Sequence, residues 1–460
     1  MIYSIIKKNL ELHKLLNSSK GINKSIYGEF DYPNYSKLQD IVNTNYNMQY
    51  KNYPNTMALL DLAFRLKLAD EFLDYEKIIE SHTKFNYKTY FYRIYLILLT
   101  KILPKKSKKQ LYYNLPNFNF VESVIVDFCQ KNNYIHKSKN TDNRFKLFFE
   151  IFLLKRPTYN FILSSPKSTY FFSQIRKHGI DLIIQNEHIM NNFENVVNKE
   201  IDILKRMLLF FNIKHLITLG DQDKDSLLAI AAKDLGINYV VFAHGYISSS
   251  SLLSILPLNA SKLILWTKQQ LEDLKRVVDP QDIKKLHFIG FPKIHKFSKK
   301  KLTKISKVLL ILTGPLESMA TENMLEDNNF INNLNILYTN FNKIGIEIIT
   351  RLHPKDQNNI STITKFKSLF PYNSNNLSIE KTFDIVDCVI GYDSSVLIES
   401  KMNGIQTFQI DDFMNIEFKN IEILKINEIK HFNKNVVANV NYDFELIKRD
   451  FYNNLNMVLS

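Results

Sequence analysis

From about residue 160 onward the chain alternates short apolar runs with amphipathic stretches, and this alternation narrows the fold more than any other feature. The runs are YNFILSS (159–165), IDLIIQ (180–185), KHLITLG (214–220), INYVVFAHG (237–245), KLILWT (262–267) and LHFIGFP (286–292). Helix-like segments such as DSLLAIAAKDLG (225–236) and KQQLEDLKRVV (268–278) lie between them. Apolar runs of this length, spaced by helices, predict βαβ units whose parallel strands are buried on both faces. A lysine-rich stretch, KFSKKKLTK (296–304), interrupts the series and reads as a linker. The alternation then restarts with KVLLILTG (307–314), IEIITRLHP (346–354), FDIVDCVIGYDSS (383–395) and IQTFQID (405–411). The expected architecture is α/β: two tandem Rossmann-like domains with parallel sheets. The first domain spans 1–297, with a helical region over 1–150 and a Rossmann-like part over 158–297. The second spans 305–460 and ends in a closing helix.

Composition excludes several classes. Cys129 and Cys388 are far apart in apolar contexts, so neither a disulfide framework nor a cysteine-based metal site is expected. No apolar run approaches the ~18–20 residues that span a bilayer. The N-terminal lysines follow a very short apolar stretch, the reverse of a signal peptide. A cytoplasmic location is expected, with attachment to the inner face of the membrane left open. Sixty basic against 46 acidic residues give a net charge of +14, a field that favours anionic partners. Nucleic acid is not the expected one, because no recognition motif occurs and the aromatics fall within apolar runs, where they form core.

In open parallel sheets ligands lie beyond the carboxyl ends of the strands, so the polar residues that follow each predicted strand carry the functional signal. LITLG runs into Asp221, Asp223 and Asp225, carboxylates suited to a general base or to helix capping. YVVFAHG ends in His244, placed for proton transfer, with Gly245 allowing a turn. IEIITRLHP ends in Arg351 and His353, which suit an oxyanion or phosphate, with Pro354 holding His353 extended. VDCVIGYDSS passes Ser394 and Ser395 into a helix N-terminus, an anion site or an ordinary cap. Glu399, one turn on, faces the same way as Ser395 and is a candidate acceptor for ribose hydroxyls. Glycine is scarce, with 11 in the chain, yet Gly220, Gly245, Gly290, Gly314 and Gly391 all fall at predicted strand ends. No Walker A, GxGxxG, HExxH or CxxC pattern occurs at a suitable place.

HG after a strand of the first domain, GFPK (290–293) before the linker, then RLHP and YDSS in the second, resemble the GT-B-fold glycosyltransferases of bacterial surface polysaccharides such as capsule and lipopolysaccharide. Two groups are most similar: polysialyltransferase-like enzymes with HP and SS motifs, and CDP-glycerol glycerophosphotransferases. The resemblance covers about residues 214–410. It implies that His353 contacts the donor phosphate and stabilises the departing nucleotide, and that Ser394 and Ser395 bind the same phosphate. It also implies a base that is a first-domain carboxylate, Asp221 or Asp223, in the first group, or His244 in the second.

On this reading a donor held by Gly314, Arg351, His353, Ser394, Ser395 and Glu399 presents its anomeric carbon to Asp221, Asp223 or His244. Cationic groups and a helix end replace a metal ion on a nucleoside monophosphate leaving group. The expectation is a metal-independent, inverting glycosyltransferase without a resident cofactor. It moves a sialic-acid-like nonulosonate from a CMP-linked nucleotide-sugar donor to a surface glycan or glycolipid acceptor. The alternatives are a CDP-polyol phosphotransferase or nucleotide-sugar epimerase of the same fold, and, in other classes, a basic nucleic-acid-binding protein or a non-catalytic capsule-assembly protein.

Overall fold

The computed structural model describes residues 98, 108–115, 118–137, 201–219, 224–243, 245, 258, 260–275, 280–295, 304–312, 325, 328–352, 360–371, 377–392, 394–411, 418, 420–432 and 444–459. They form two compact units: the first runs up to Pro292 and resumes at Arg449, and the second runs from Lys293 to Lys448. The two units are Rossmann-like α/β structures with parallel sheets, the class expected from the alternating runs. Two of those runs, 159–165 and 180–185, lie outside the described residues, as does most of the expected linker.

The first unit carries β1 (Gln110–Asn114), α1 (Asn119–Lys131), β2 (Ile135–Lys137), β3 (Ile213–Leu219), α2 (Lys224–Asp234), β4 (Asn238–Phe242), β5 (Lys262–Ile264), α3 (Lys268–Lys275) and β6 (Leu286–His287). Its strands lie in the order β2-β1-β3-β4-β5-β6 and pair in parallel. Of the expected helical region over 1–150, only residues 98, 108–115 and 118–137 are described; there β1 and β2 are strands of this sheet, so the sheet takes in residues before the expected start at 158. QLYYN is rich in residues that favour strands and is bounded by a lysine cluster and Pro116. Leu111, Tyr112 and Tyr113 are all buried.

An aromatic cluster closes this unit. Phe118 lies 6.3 Å from both Phe242 and Trp266, and Trp266 meets Phe291 edge-on at 5.3 Å between ring centres. The final helix also contributes: Phe451 packs on Phe120 at 5.0 Å, and Asn454 donates to the Ile289 carbonyl at 3.1 Å. Asn238 and Lys262 donate to the Val458 carbonyl. Such bonds satisfy carbonyls that a helix end leaves unpaired. The expected second domain of 305–460 is therefore shortened, because residues from Arg449 onward belong to the first unit.

Gly290 of the GFPK segment has φ +122°, and a Cβ there would sit 3.0 Å from Cδ2 of the buried Phe451 ring. Gly290→Ala should therefore destabilise the first unit by about 1–2 kcal/mol. The single tryptophan, Trp266, is fully buried in this unit, and its fluorescence during urea unfolding reads the change. A midpoint equal to that of the unsubstituted chain would contradict the packing described.

The second unit carries β7 (Lys307–Leu312), α4 (Asn328–Lys343), β8 (Glu347–Leu352), α5 (Ile360–Leu369), α6 (Ile379–Phe383), β9 (Cys388–Gly391), α7 (Ser395–Met402), β10 (Gln406–Ile410) and β11 (Glu422–Leu424). Its order is β11-β10-β9-β7-β8. The sequence KVLLIL of β7 is buried beyond its first residue, as a strand covered on both faces must be. Val308, Leu310 and Leu312 pack in one core with Phe330, Leu334, Leu337 and Phe341 of α4, four residues at helical spacing. Counted along the chain, the second sheet has the order 2-1-3-4-5 and the first repeats it with a sixth strand added at the edge, a structural repeat with no sequence repeat behind it. The chain's last helix, α8 (Phe444–Leu459), begins among residues of this unit.

Candidate functional site

In the 2-1-3-4-5 order the connection reverses direction across the first strand, leaving a crevice at the carboxyl edge between strands one and three. In the second sheet that point lies between β7 and β9. Ile311 pairs with Arg351 on one side and Gly391 on the other, so Arg351 and Gly391 stand at one level, about 10 Å apart across two strand spacings. Beyond Gly391, the fully buried Tyr392 ring lies 5.5 Å from Phe330. Ser394 follows in extended geometry (φ −122°, ψ 134°) as the N-cap of α7, its hydroxyl accepting from the Val396 N–H at 3.3 Å. Ser395 opens the helix and is half-buried.

Arg351 is half-buried, and its Nη1 donates to the Leu377 carbonyl at 2.9 Å. Leu377 precedes Ser378, the N-cap of α6, so this bond ties β8 to the start of that helix. The structure thus brings Arg351, Ser394 and Ser395 to one sheet edge. Gly314 and His353, each just past the end of a strand in sequence, lie outside the described residues.

Glu399 occupies neither a solvated face nor an open edge: it is 2% exposed. His295 Nε2 donates to its Oε1 at 3.0 Å, and Lys293 Nζ stands 3.5 Å from its Oε2. The other ring nitrogen of His295 lies 3.4 Å from Glu380. Asn403, one turn after Glu399, accepts from the His295 backbone N–H at 2.8 Å and donates to the Lys293 carbonyl at 2.9 Å. The segment 293–295 is therefore stitched to the far half of α7 by backbone and side chain alike. Sequence reasoning passed over His295 and Asn403. The available signal was a polar pair, Glu399 and Asn403, four residues apart at the end of a largely apolar helix and so on one face.

In the first sheet the corresponding point lies between β1 and β3, where Asn114 pairs with Thr218. Leu219 and Phe242, the last residues of β3 and β4, are register partners. The segments carrying Asp221 and Asp223 and that carrying His244 thus leave adjacent strands at the same edge; the three residues themselves lie outside the described set. Their support is partly visible. Trp266 Nε1 donates to the Ala243 carbonyl at 2.8 Å, and the fully buried Gln270 donates through Nε2 to the Gly245 carbonyl at 3.3 Å. Gln270 Oε1 also accepts from the Trp266 backbone N–H at 2.8 Å. These two side chains hold the carbonyls on either side of His244, and sequence reasoning had singled out neither.

Among the described residues, no group of three or more His, Cys, Asp or Glu is arranged to hold a metal ion, and no helix is long and apolar enough to cross a membrane. No protein-family model matches the chain, and no curated protein matches it in sequence. Solved structures do resemble it. UDP-GlcNAc 2-epimerase from Methanocaldococcus jannaschii is 14% identical with a TM-score of 0.42, over 76% of this chain and 92% of that one. UDP-GlcNAc 2-epimerase from Neisseria meningitidis bound to UDP-GlcNAc is 12% identical with a TM-score of 0.44, over 76% of this chain and 99% of that one. MurG from Acinetobacter baumannii is 11% identical with a TM-score of 0.36, over 77% of this chain and 92% of that one. The fold assignment stands on the strand order of this chain's own two sheets.

Proposed function

We propose that the chain is a glycosyltransferase that takes its sugar from a nucleotide-activated donor. The observation that carries this reading is the register that sets Arg351 level with Gly391, beside the serine-capped start of α7, at the reversal point of the second sheet. A departing nucleotide gains negative charge, and a guanidinium with a helix N-terminus offsets that charge as it develops. The base that takes the acceptor hydroxyl's proton is Asp221, Asp223 or His244 on the first unit. The order of the HG, RLHP and YDSS motifs favours a CMP-linked nonulosonate as donor, a surface glycan or glycolipid as acceptor, and a metal-independent inverting course.

A thermal-shift series with CMP, CDP, UDP, GDP and their sugar conjugates tests the reading, since a ligand bound only by the folded state raises Tm with concentration. One nucleotide family should stabilise the chain, and Arg351→Ala should weaken that binding about tenfold, the scale of one charge-assisted contact. Stabilisation by none of them would remove the donor site. Incubation with donor alone then separates the reactions: a rearranged nucleotide-sugar formed without acceptor would replace transfer by epimerisation.

A further inference from the structure

The amino edge of the first sheet, opposite the edge that leads to Asp221, Asp223 and His244, carries a row of lysines. Lys108 and Lys109 precede β1, Lys214 is the second residue of β3, Lys233 lies in the last turn of α2 ahead of β4, and Lys284 lies two residues before β6. All five are exposed, and none has an ion-pair partner among the described residues. Their acidic neighbours in sequence are engaged elsewhere, Asp234 with Lys205 and Asp282 with Lys285. β1 and β6 stand four strand spacings apart, so the row runs about 20 Å along the edge. Two apolar side chains share it. Leu209 is 44% exposed in the turn before β3; its carbonyl accepts from the Asn212 N–H, and the Asn212 carbonyl accepts from the N–H of Gln110, the first residue of β1. Met457, 66% exposed, precedes Val458, whose carbonyl is held by Asn238 and Lys262, the first residues of β4 and β5.

We propose that the first unit docks on an anionic lipid bilayer by the amino edge of its sheet, with the lysine row on the headgroups and Leu209 and Met457 entering the interface. Ammonium groups on flexible stems, set in a row, conform to a flat anionic surface, and each adds an attraction that salt screens. Leu209 and Met457 decide between a bilayer and a soluble polyanion. Exposed apolar side chains gain from entering a lipid interface and gain nothing from a hydrated polymer. Docking by this edge turns the carboxyl ends of β3 and β4 away from the lipid, by about 20 Å along the seven residues of β3. A bound bilayer thus leaves those strand ends open.

Cosedimentation of the full chain with phosphatidylcholine vesicles, with and without about 30% phosphatidylglycerol, tests the assignment at about 0.1 M salt. The anionic vesicles should bind at least about tenfold more tightly. Lys214→Ala with Lys284→Ala should weaken that binding about 10- to 30-fold, whereas Lys343→Ala with Lys430→Ala, an equal loss of charge from the second unit, should change it less than about threefold. Leu209→Ser with Met457→Ser should weaken vesicle binding about tenfold and leave binding of heparin, a soluble polyanion, unchanged. Trp266 fluorescence confirms folding of each variant, and Lys233→Ala replaces Lys214→Ala if that chain does not fold. Equal binding to neutral and anionic vesicles, or an equal loss from the second-unit pair, overturns the proposal. Vesicle binding that ignores Leu209→Ser with Met457→Ser, together with equal affinity for heparin, also overturns it and makes the edge a site for soluble polyanions. Nucleotide binding has no part in these measurements, so either outcome leaves the donor reading where it stands.

Discussion

Gly391→Ala should destabilise the second unit by about 2–3 kcal/mol and abolish nucleotide-dependent stabilisation with it. A Cβ at this position would lie 2.9 Å from the Ile311 carbonyl oxygen, 3.0 Å from the Ile311 Cβ and 3.4 Å from Leu397. The first two contacts involve the neighbouring strand's backbone and first side-chain carbon, which no rotamer change relieves. Replacing a glycine within a strand by alanine ordinarily gains about 0.5–1 kcal/mol of chain entropy. Overpacking a buried site costs about 1–3 kcal/mol and sometimes more. Overpacking wins here because β7 is buried on both faces and cannot retreat. Relief requires β9 to move from β7, and β9 leads directly to Tyr392, Ser394 and the first turn of α7. Urea unfolding followed by circular dichroism, with amide exchange at Leu309 and Ile390, gives the local reading. An unchanged midpoint together with unchanged nucleotide binding would show that the sheet edge tolerates the methyl group and that this account of Gly391 is wrong.

The strands legible in the sequence are mostly buried and lie between helical stretches: β4 and β7 print near-continuous apolar runs, while β3, β8 and β10 carry polar residues within theirs. β1 is also buried, but QLYYN follows a lysine cluster, and its strand identity depends on β2 and β3 lying on either side, which no local window contains. At three residues each, β2 and β11 are too short to show a period. FDIVDCVIG read as one strand, yet its first residue closes α6 and the strand begins only at Cys388. The boundary is fixed by Asp387, whose Oδ2 accepts from the Ser306 N–H at 2.8 Å, the Ser306 hydroxyl at 2.7 Å and the Lys307 N–H at 2.8 Å. That anchor lies some eighty residues back along the chain. The final helix was legible as a helix, but its period does not say which sheet it serves.

The candidate site divides the same way. Arg351, Ser394 and Ser395 were found because each lies at or just beyond the carboxyl end of a strand, and parallel topology places those ends together. Lys293 and His295 reach Glu399, and Asn403 reaches the Lys293 carbonyl, across more than a hundred residues of sequence. Trp266 and Gln270 were hidden for a further reason: they bind main-chain carbonyls and leave no pattern of polar residues around the loop they hold.

Acid should weaken the first unit by about 2 kcal/mol between pH 7 and pH 5, and His215→Gln should remove most of that loss. His215 lies on β3, 9% exposed, between Leu111 of β1 and Asn238 of β4. Its Nε2 shares a hydrogen bond of 3.1 Å with the Tyr134 hydroxyl, and the rings of Tyr134 and Phe128 lie 5.2 and 6.2 Å away. Its Nδ1 is buried without a hydrogen-bond partner among the described residues. Burial first, and then the cations of Lys262 and Lys109, push its pKa down from 6.5 to about 4. Between those values the unfolded chain binds more protons than the folded one, so stability rises with pH across the window. The contribution is complete above about 6.5 and is lost as pH falls towards 4, where the full shift corresponds to about 3 kcal/mol. His287 acts in the same direction, its pKa lowered by burial and by Lys262, and its buried Nε2 also lacks a partner among the described residues. Carboxylates titrating near pH 4 would blur a single acid profile, so the decisive quantity is the difference between the two chains. Trp266 fluorescence in urea at pH 7 and pH 5 gives it, because the probe and His215 share one unit. With glutamine at 215 the midpoint should move much less between the two pH values. Equal acid sensitivity of both chains would show that His215 takes up its proton without opposing the fold.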